Sequence, residues 1–155
     1  MFSFGQTSSK ALSTCHKDLR VIHRAAIKDI RIDYGIHEGG RSFEQQLEYY
    51  QKGASTLDPR IPEKLKAAKH VITDFRPLSE ATDIHIASKY KDKPLTWQKD
   101  SLIYVCAYLV ATADRLCDEN AIGHKLRWGY NWDMDEIIGL DQDFDDLPHL
   151  ELVKP

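Results

Sequence analysis

The stretch Ala81-Thr82-Asp83-Ile84-His85-Ile86 decides the architecture, because it alternates like a strand with one face in the core. Successive strand side chains point to opposite faces, so Thr82, Ile84 and Ile86 share one side and Ala81, Asp83 and His85 the other. An isolated carboxylate among apolar and β-branched residues needs a partner, since an unpaired buried charge is costly. A salt bridge satisfies that need as well as a metal ion does. The two-sided pattern returns near the end of the chain in Asp146-Leu147-Pro148-His149-Leu150-Glu151-Leu152, where His149 and Glu151 lie opposite Leu150 and Leu152. Pro148 suits the first residue of such a strand.

Working outward, Tyr34-Gly35-Ile36-His37 reads as a short strand entering the turn Glu38-Gly39-Gly40-Arg41, and Leu126 to Trp132 and Leu150 to Val153 as further strands. Leu19, Ile22, Ala26 and Ile30 are spaced for one face of a helix over about Leu12 to Ile30. Ser42 followed by Gln45 is a capping-box pattern, opening a helix with Phe43, Leu47 and Tyr50 on one face and Gly53 at its end. Residues 54–78, with prolines at 59, 62 and 77, read as loop. Thr96 can cap a long helix to about Glu119, with Leu102, Cys106, Leu109, Ala113 and Leu116 as its buried stripe. Helices and short strands that do not alternate regularly predict an α+β fold, a small antiparallel sheet with helices packed on it. The 155 residues fit one domain, 1–155, with no internal repeat or linker.

A 42% hydrophobic and 29% charged composition is that of an ordinary globular chain. A net charge of −3 implies no general attraction to nucleic acid or anionic membranes. No run approaches the roughly 18 apolar residues of a membrane span. Met1-Phe2-Ser3-Phe4-Gly5-Gln6 lacks the features of a signal peptide, so the expectation is a protein made in the cytoplasm and released by something else. Cys106 and Cys117 lie eleven residues apart in one predicted helix, roughly 16 Å along its axis and too far for a disulfide. With Cys15 they are expected as reduced thiols.

Among the seven histidines, His70 and His149 together with Asp83 offer two imidazoles and a carboxylate to a zinc ion. Hydrolytic zinc sites take three such ligands and leave a fourth position to water. That water needs a base, and Asp146, three residues before His149, is a candidate. Asp145 competes for that role, and either can be a plain solvated acid. From Asp133 to Asp146 there are seven acids and no basic residue, and Asp141, Asp143 and Asp145 alternate as in a calcium loop. The glycine and the final glutamate of an EF-hand are missing.

These motifs, in this order, resemble the zinc D-Ala-D-Ala carboxypeptidase and L-alanyl-D-glutamate peptidase family, and among its members the phage endolysins. The positions that match are His70, Ala81-Thr82-Asp83, and Asp146 preceding His149. Phe2-Ser3-Phe4-Gly5 is similar to the start of such endolysins. Gly40-Arg41-Ser42 with Gln45 and Gln46 resembles the family's substrate-side motif, and Arg127-Trp128-Gly129-Tyr130-Asn131-Trp132 the run that precedes the base. The resemblance implies a Hedgehog/DD-peptidase-like fold, Zn²⁺ on His70, Asp83 and His149, Asp146 as base, and substrate contacts from Arg41, Ser42 and Gln45. It also implies hydrolysis of the L-Ala–D-Glu bond of the peptidoglycan stem. The enzyme would act as a monomer on the wall of an infected bacterium, after release through a separate holin-like pore.

The chain departs from the family in two places. The interval from His70 to Asp83 is thirteen residues, longer than the family's usual one, so Val71 to Ser79 must form an expanded loop and His85 is the substitute ligand. Tyr130-Asn131 stands where the family often has Gly-Asp. Two other functions stay open: a D-Ala-D-Ala carboxypeptidase with the same chemistry, and a non-catalytic wall- or protein-binding module on the same fold.

Overall fold

The computed structural model describes residues 1–87, 95–139 and 144–155, with side chains at all of these except 95–97. The elements run α1 (Gln6–Ser13), α2 (Lys17–Asp29), β1 (Tyr34–Glu38), α3 (Phe43–Gln51), α4 (Pro62–Ala67), β2 (Ala81–Ile86), α5 (Leu95–Asp118), β3 (Lys125–Trp128) and β4 (His149–Val153). The strands pair antiparallel throughout, in the order β1-β2-β4-β3. This is the α+β sheet that the alternating segments predict.

Register and alternation divide the sheet into two faces. Tyr34 and Ile36 stand across from Ile86 and Ile84, and Leu126 and Trp128 across from Leu152 and Leu150. All eight are buried in one core with Leu19, Ile22 and Ala26 of α2 and Leu102, Cys106 and Leu109 of α5. Helix α5 lies on β2 and β3, α2 packs along α5, and α1 covers β1. Removing this apolar surface from water drives the assembly. The opposite face carries Asp83, His149, Glu151 and Arg127. A bulge between Ile36 and Glu38 adds one residue to β1, so His37 and Glu38 both line the cleft over this face.

Five expectations about elements are corrected. The single helix over Leu12 to Ile30 is two, because Thr14-Cys15-His16 is drawn into a parallel bridge with Ser79: His16 N donates to Ser79 O at 2.8 Å and Ser79 N to Thr14 O at 2.9 Å. His16 then caps α2 with its own ring, Nδ1 accepting from Asp18 N at 3.2 Å. Residues 54–78 contain α4, whose Pro62 occupies the first turn, where a missing N–H costs nothing. The third strand ends at Trp128, since Asn131 N turns back to Trp128 O at 2.9 Å, and the last begins at His149, one residue after Pro148. On α3 the capping box closes as expected, yet the buried position is Gln46 in place of an apolar stripe. The expected cap at Thr96 and the acids Asp141 and Asp143 lie outside the described side chains. All three cysteines are free, Cys15 and Cys106 fully buried.

The expanded loop between His70 and Asp83 is closed by one buried cation. Arg76, 6% exposed, donates through Nη1 to the carbonyls of Ala68 (2.5 Å) and Val71 (3.2 Å) and through Nη2 to Lys66 (2.6 Å). Lys69 meets Glu80 across the loop's neck at 2.6 Å. The added residues therefore form a hairpin-like excursion that returns the chain to the start of β2.

His23 ties α2 to the sheet. It is fully buried, with Nδ1 3.1 Å from the Tyr34 hydroxyl and Nε2 3.0 Å from Thr82 Oγ1, beside Asp83 in sequence. Burial lowers its pKa to about 3, so the folded protein keeps it neutral. The unfolded chain, with a pKa near 6.5, takes up a proton that the folded chain refuses, so His23 favours folding above pH 6.5 and loses that contribution as pH falls toward 3. Urea unfolding across this window should show stability declining with acid, and His23→Gln should flatten the slope by up to one proton, about 1.4 kcal/mol per pH unit.

Candidate metal centre and cleft

The polar face of the sheet is the floor of a cleft of about 650 Å³, walled by α3, the segment 53–57, Lys69, Trp132 and Phe144. Its centre follows from pairing. In the β2–β4 ladder Asp83 stands directly across from His149, and Ala81 across from Glu151. His70 arrives from the neighbouring segment, held by Arg41 N donating to His70 O at 2.9 Å.

Three atoms converge there: His70 Nε2 and Asp83 Oδ1 at 3.2 Å, His149 Nδ1 and Asp83 Oδ1 at 3.0 Å, and the two imidazole nitrogens at 3.3 Å. Donors at about 2.0–2.1 Å from a tetrahedral ion lie roughly 3.3 Å apart, so the triangle already has nearly the size a zinc ion needs. The far sides of both rings fix which nitrogen is presented. His70 Nδ1–H donates to Gly39 O at 2.7 Å, leaving Nε2 for the cluster. His149 Nε2–H donates to Glu151 Oε2 at 3.2 Å, leaving Nδ1. Such outer hydrogen bonds are what orient metal-ligating histidines.

Electrostatics point the same way. Burial alone would raise the Asp83 pKa, but His70 and His149 hold it well below the usual carboxylate range. Burial would lower the His149 pKa, yet its hydrogen bonds to Asp83 and Glu151 raise it to about 9. Two carboxylates around one buried ring make a place that wants positive charge, and a divalent ion supplies it. The donor set fits zinc.

Asp146 enters from the loop before β4 and lines the cleft, whereas Asp145 is exposed and does not line it. Gly129 fixes this approach: Asp146 N donates to Gly129 O at 2.8 Å and Gly129 N to His149 O at 2.9 Å. A Cβ on Gly129 would meet Asp146 O at 2.5 Å, so only glycine lets the two backbones lie this close. Burial pushes the Asp146 carboxyl up, against the pull of His149 and with a further push from Asp83.

Arg41 lines the cleft in a rigid frame. It is paired through Nε and Nη2 with Glu38, donates through Nη1 to Gln46 Oε1 at 2.7 Å, and lies 4.5 Å over the Tyr49 ring. Ser42 and Gln45, expected at the substrate side, bond each other in the α3 cap and do not line the cleft. The ring of His85 lies against Gly35, outside the group formed by His70, Asp83 and His149. Trp132 lines the cleft, its ring 5.5 Å from that of His149, while Trp128 is core.

Sequence reasoning missed Glu38 and the pair Arg127–Glu151 as parts of the site, while Gln46, quoted in the substrate-side motif, lines the cleft beside Arg41. The signal for Glu151 was present, since it shares a strand face with His149. Arg127 holds Glu151 Oε1 through Nε at 3.1 Å and through Nη2, so the carboxylate facing His149 cannot turn away. Glu151→Ala should therefore weaken divalent-ion binding roughly 10- to 100-fold, as loss of an outer partner does elsewhere. Calorimetric zinc titration of the folded variant would show it, and unchanged affinity would remove Glu151 from the centre.

Comparison with known proteins bears on the fold and the family. No curated protein sequence is significantly similar to the chain. The crystal structure of the Serratia marcescens L-Ala D-Glu endopeptidase ChiX shares the fold, with a TM-score of 0.64 at 19% identity over 97% of this chain and 90% of that one. The sequence profile of the phage L-alanyl-D-glutamate peptidases matches residues 1–153. From Ala81–Ile86 outward, then, the chain belongs to the phage L-alanyl-D-glutamate peptidase family.

Proposed function

We propose that this cleft hydrolyses the amide between L-Ala and D-Glu in the stem peptide of bacterial peptidoglycan, with zinc held by His70 Nε2, Asp83 and His149 Nδ1. The observation that carries the reading is the triangle of ligand atoms, 3.0–3.3 Å on its edges, on the floor of a cleft that Asp146 and Arg41 also line. When bound, the ion supplies Lewis acidity toward water and the scissile carbonyl. Asp146 takes the proton from the attacking water and returns it to the leaving amine. Its partial burial suits that task, because a carboxyl pushed upward is a stronger base than a solvated one.

Arg41 binds a carboxylate of the stem. Glu38, Gln46 and Tyr49 fix its guanidinium before substrate arrives, so little conformational entropy is lost on binding. D-Glu in the stem carries a free carboxylate next to the scissile amide, which is the kind of group a guanidinium fork recognises. The protein works as a single peptidase domain and a monomer, acting on the host wall after release through a separate pore. Among the described residues no helix is long and apolar enough to cross a membrane.

Digestion of purified sacculi, with mass analysis of the soluble products, tests the bond. Stem peptides beginning with D-Glu are expected, with L-Ala left on the glycan. Free D-Ala from otherwise intact stems would mean a carboxypeptidase. Asp146→Asn keeps the shape and removes the base, so zinc content should stay at one equivalent in this centre while turnover drops roughly 10²- to 10⁴-fold. Asp145→Asn should be mild, and the reverse ranking would move the base one residue upstream.

A further inference from the structure

A second set of metal-ligating side chains lies outside the cleft, where the start of α2 meets the loop between α5 and β3. His16, Asp18 and His124 each place one donor atom within 4.8 Å of the other two. Asp18 is 3% exposed and comes from a segment more than a hundred residues away from His124 in sequence. Its Oδ2 accepts from Gly123 N at 3.0 Å and from His124 Nδ1 at 2.7 Å. His16 Nδ1 accepts the Asp18 N–H at 3.2 Å, which holds its ring beside the same residue. The two rings sit edge to face with centroids 5.1 Å apart.

We propose that His16, Asp18 and His124 form a second, non-catalytic site for a borderline divalent transition ion such as zinc, joining the α5–β3 loop to the start of α2. Two imidazoles and one carboxylate suit such an ion, whereas calcium and magnesium prefer sets made wholly of oxygen. The ion takes the place of the proton that His124 Nδ1 shares with Asp18. The displaced proton leaves to solvent, and His16 gives up its bond to the Asp18 N–H. The His124 side chain is 34% exposed, so the cluster is open to entering ions and water. The Asp18 carboxylate keeps its bond to Gly123 N throughout, which orients it as a ligand.

The test removes the first centre and counts what is left. The full chain carrying His70→Ala and His149→Ala is loaded with Zn²⁺, dialysed and assayed for metal, and its thermal midpoint is read with and without the ion. One zinc per chain should remain, with a midpoint raised by zinc. Adding His124→Gln, which still offers an N–H to Asp18 but no imidazole, should abolish both the bound zinc and the shift. Circular dichroism confirms that the variants fold. A zinc count near zero before His124→Gln is added, or a count that His124→Gln leaves unchanged, overturns the second site and leaves a hydrogen-bonded cluster. Neither result touches the catalytic reading, which rests on His70, Asp83 and His149.

Discussion

Everything in the site depends on the register of β2 against β4. Asp83 stands directly across from His149 because Ala81 pairs with Glu151 and Thr82 with Leu150. A slip of β4 by one residue would turn His149 and Glu151 toward the core and Leu150 toward water. The core forbids that slip, since Ile84, Leu150 and Leu152 are each at most 3% exposed among α2 and α5. Hydrophobic burial on one face of the sheet therefore sets the positions of Asp83 and His149 on the other. The centre needs little besides His70, and the Gly39–Arg41 turn delivers that ring by bonding it at both main chain and side chain.

The outer groups make the arrangement stiff. Glu38 serves Arg41, Arg127 serves Glu151, and Glu151 serves His149, so these three groups are each backed by an opposite charge. The bulge in β1 contributes by carrying Glu38 across from Asp83. Cys106 acts from the core side, its thiol donating to Leu147 O at 3.3 Å just beyond Asp146. Burial pushes that thiol far up, so it serves as a hydrogen-bond donor and not as a nucleophile. Asp146 is thus fixed from two sides, by Gly129 just after β3 and by α5 beneath it.

Much of this was legible in the sequence, and for identifiable reasons. Strand alternation at Ala81–Ile86 and His149–Leu152 reports burial directly, and the stripe from Leu102 to Leu116 reports the face of α5, so these elements were readable. The order of His70, Asp83, Asp146 and His149 suggested which groups would meet, and the structure brings the first, second and fourth within hydrogen-bond distance of one another. Long-range main-chain contacts were not legible. The break at Thr14–His16 comes from Ser79, more than sixty residues away, and no local propensity reports it. Ser42 and Gln45 carry both a capping pattern and a substrate-side resemblance, and the structure shows them bonded to each other in the α3 cap. The thirteen-residue interval obscured His70, since only the buried Arg76 explains how a longer loop returns to the same place.

Zinc-edge anomalous diffraction from crystals of the metal-loaded protein tests the central claim most directly. The account predicts a peak about 2.0–2.2 Å from His70 Nε2, an Asp83 oxygen and His149 Nδ1, with Asp146 nearby but not bound. A metal held by His85 in place of His70, or no peak between Asp83 and His149 in the loaded protein, would contradict it.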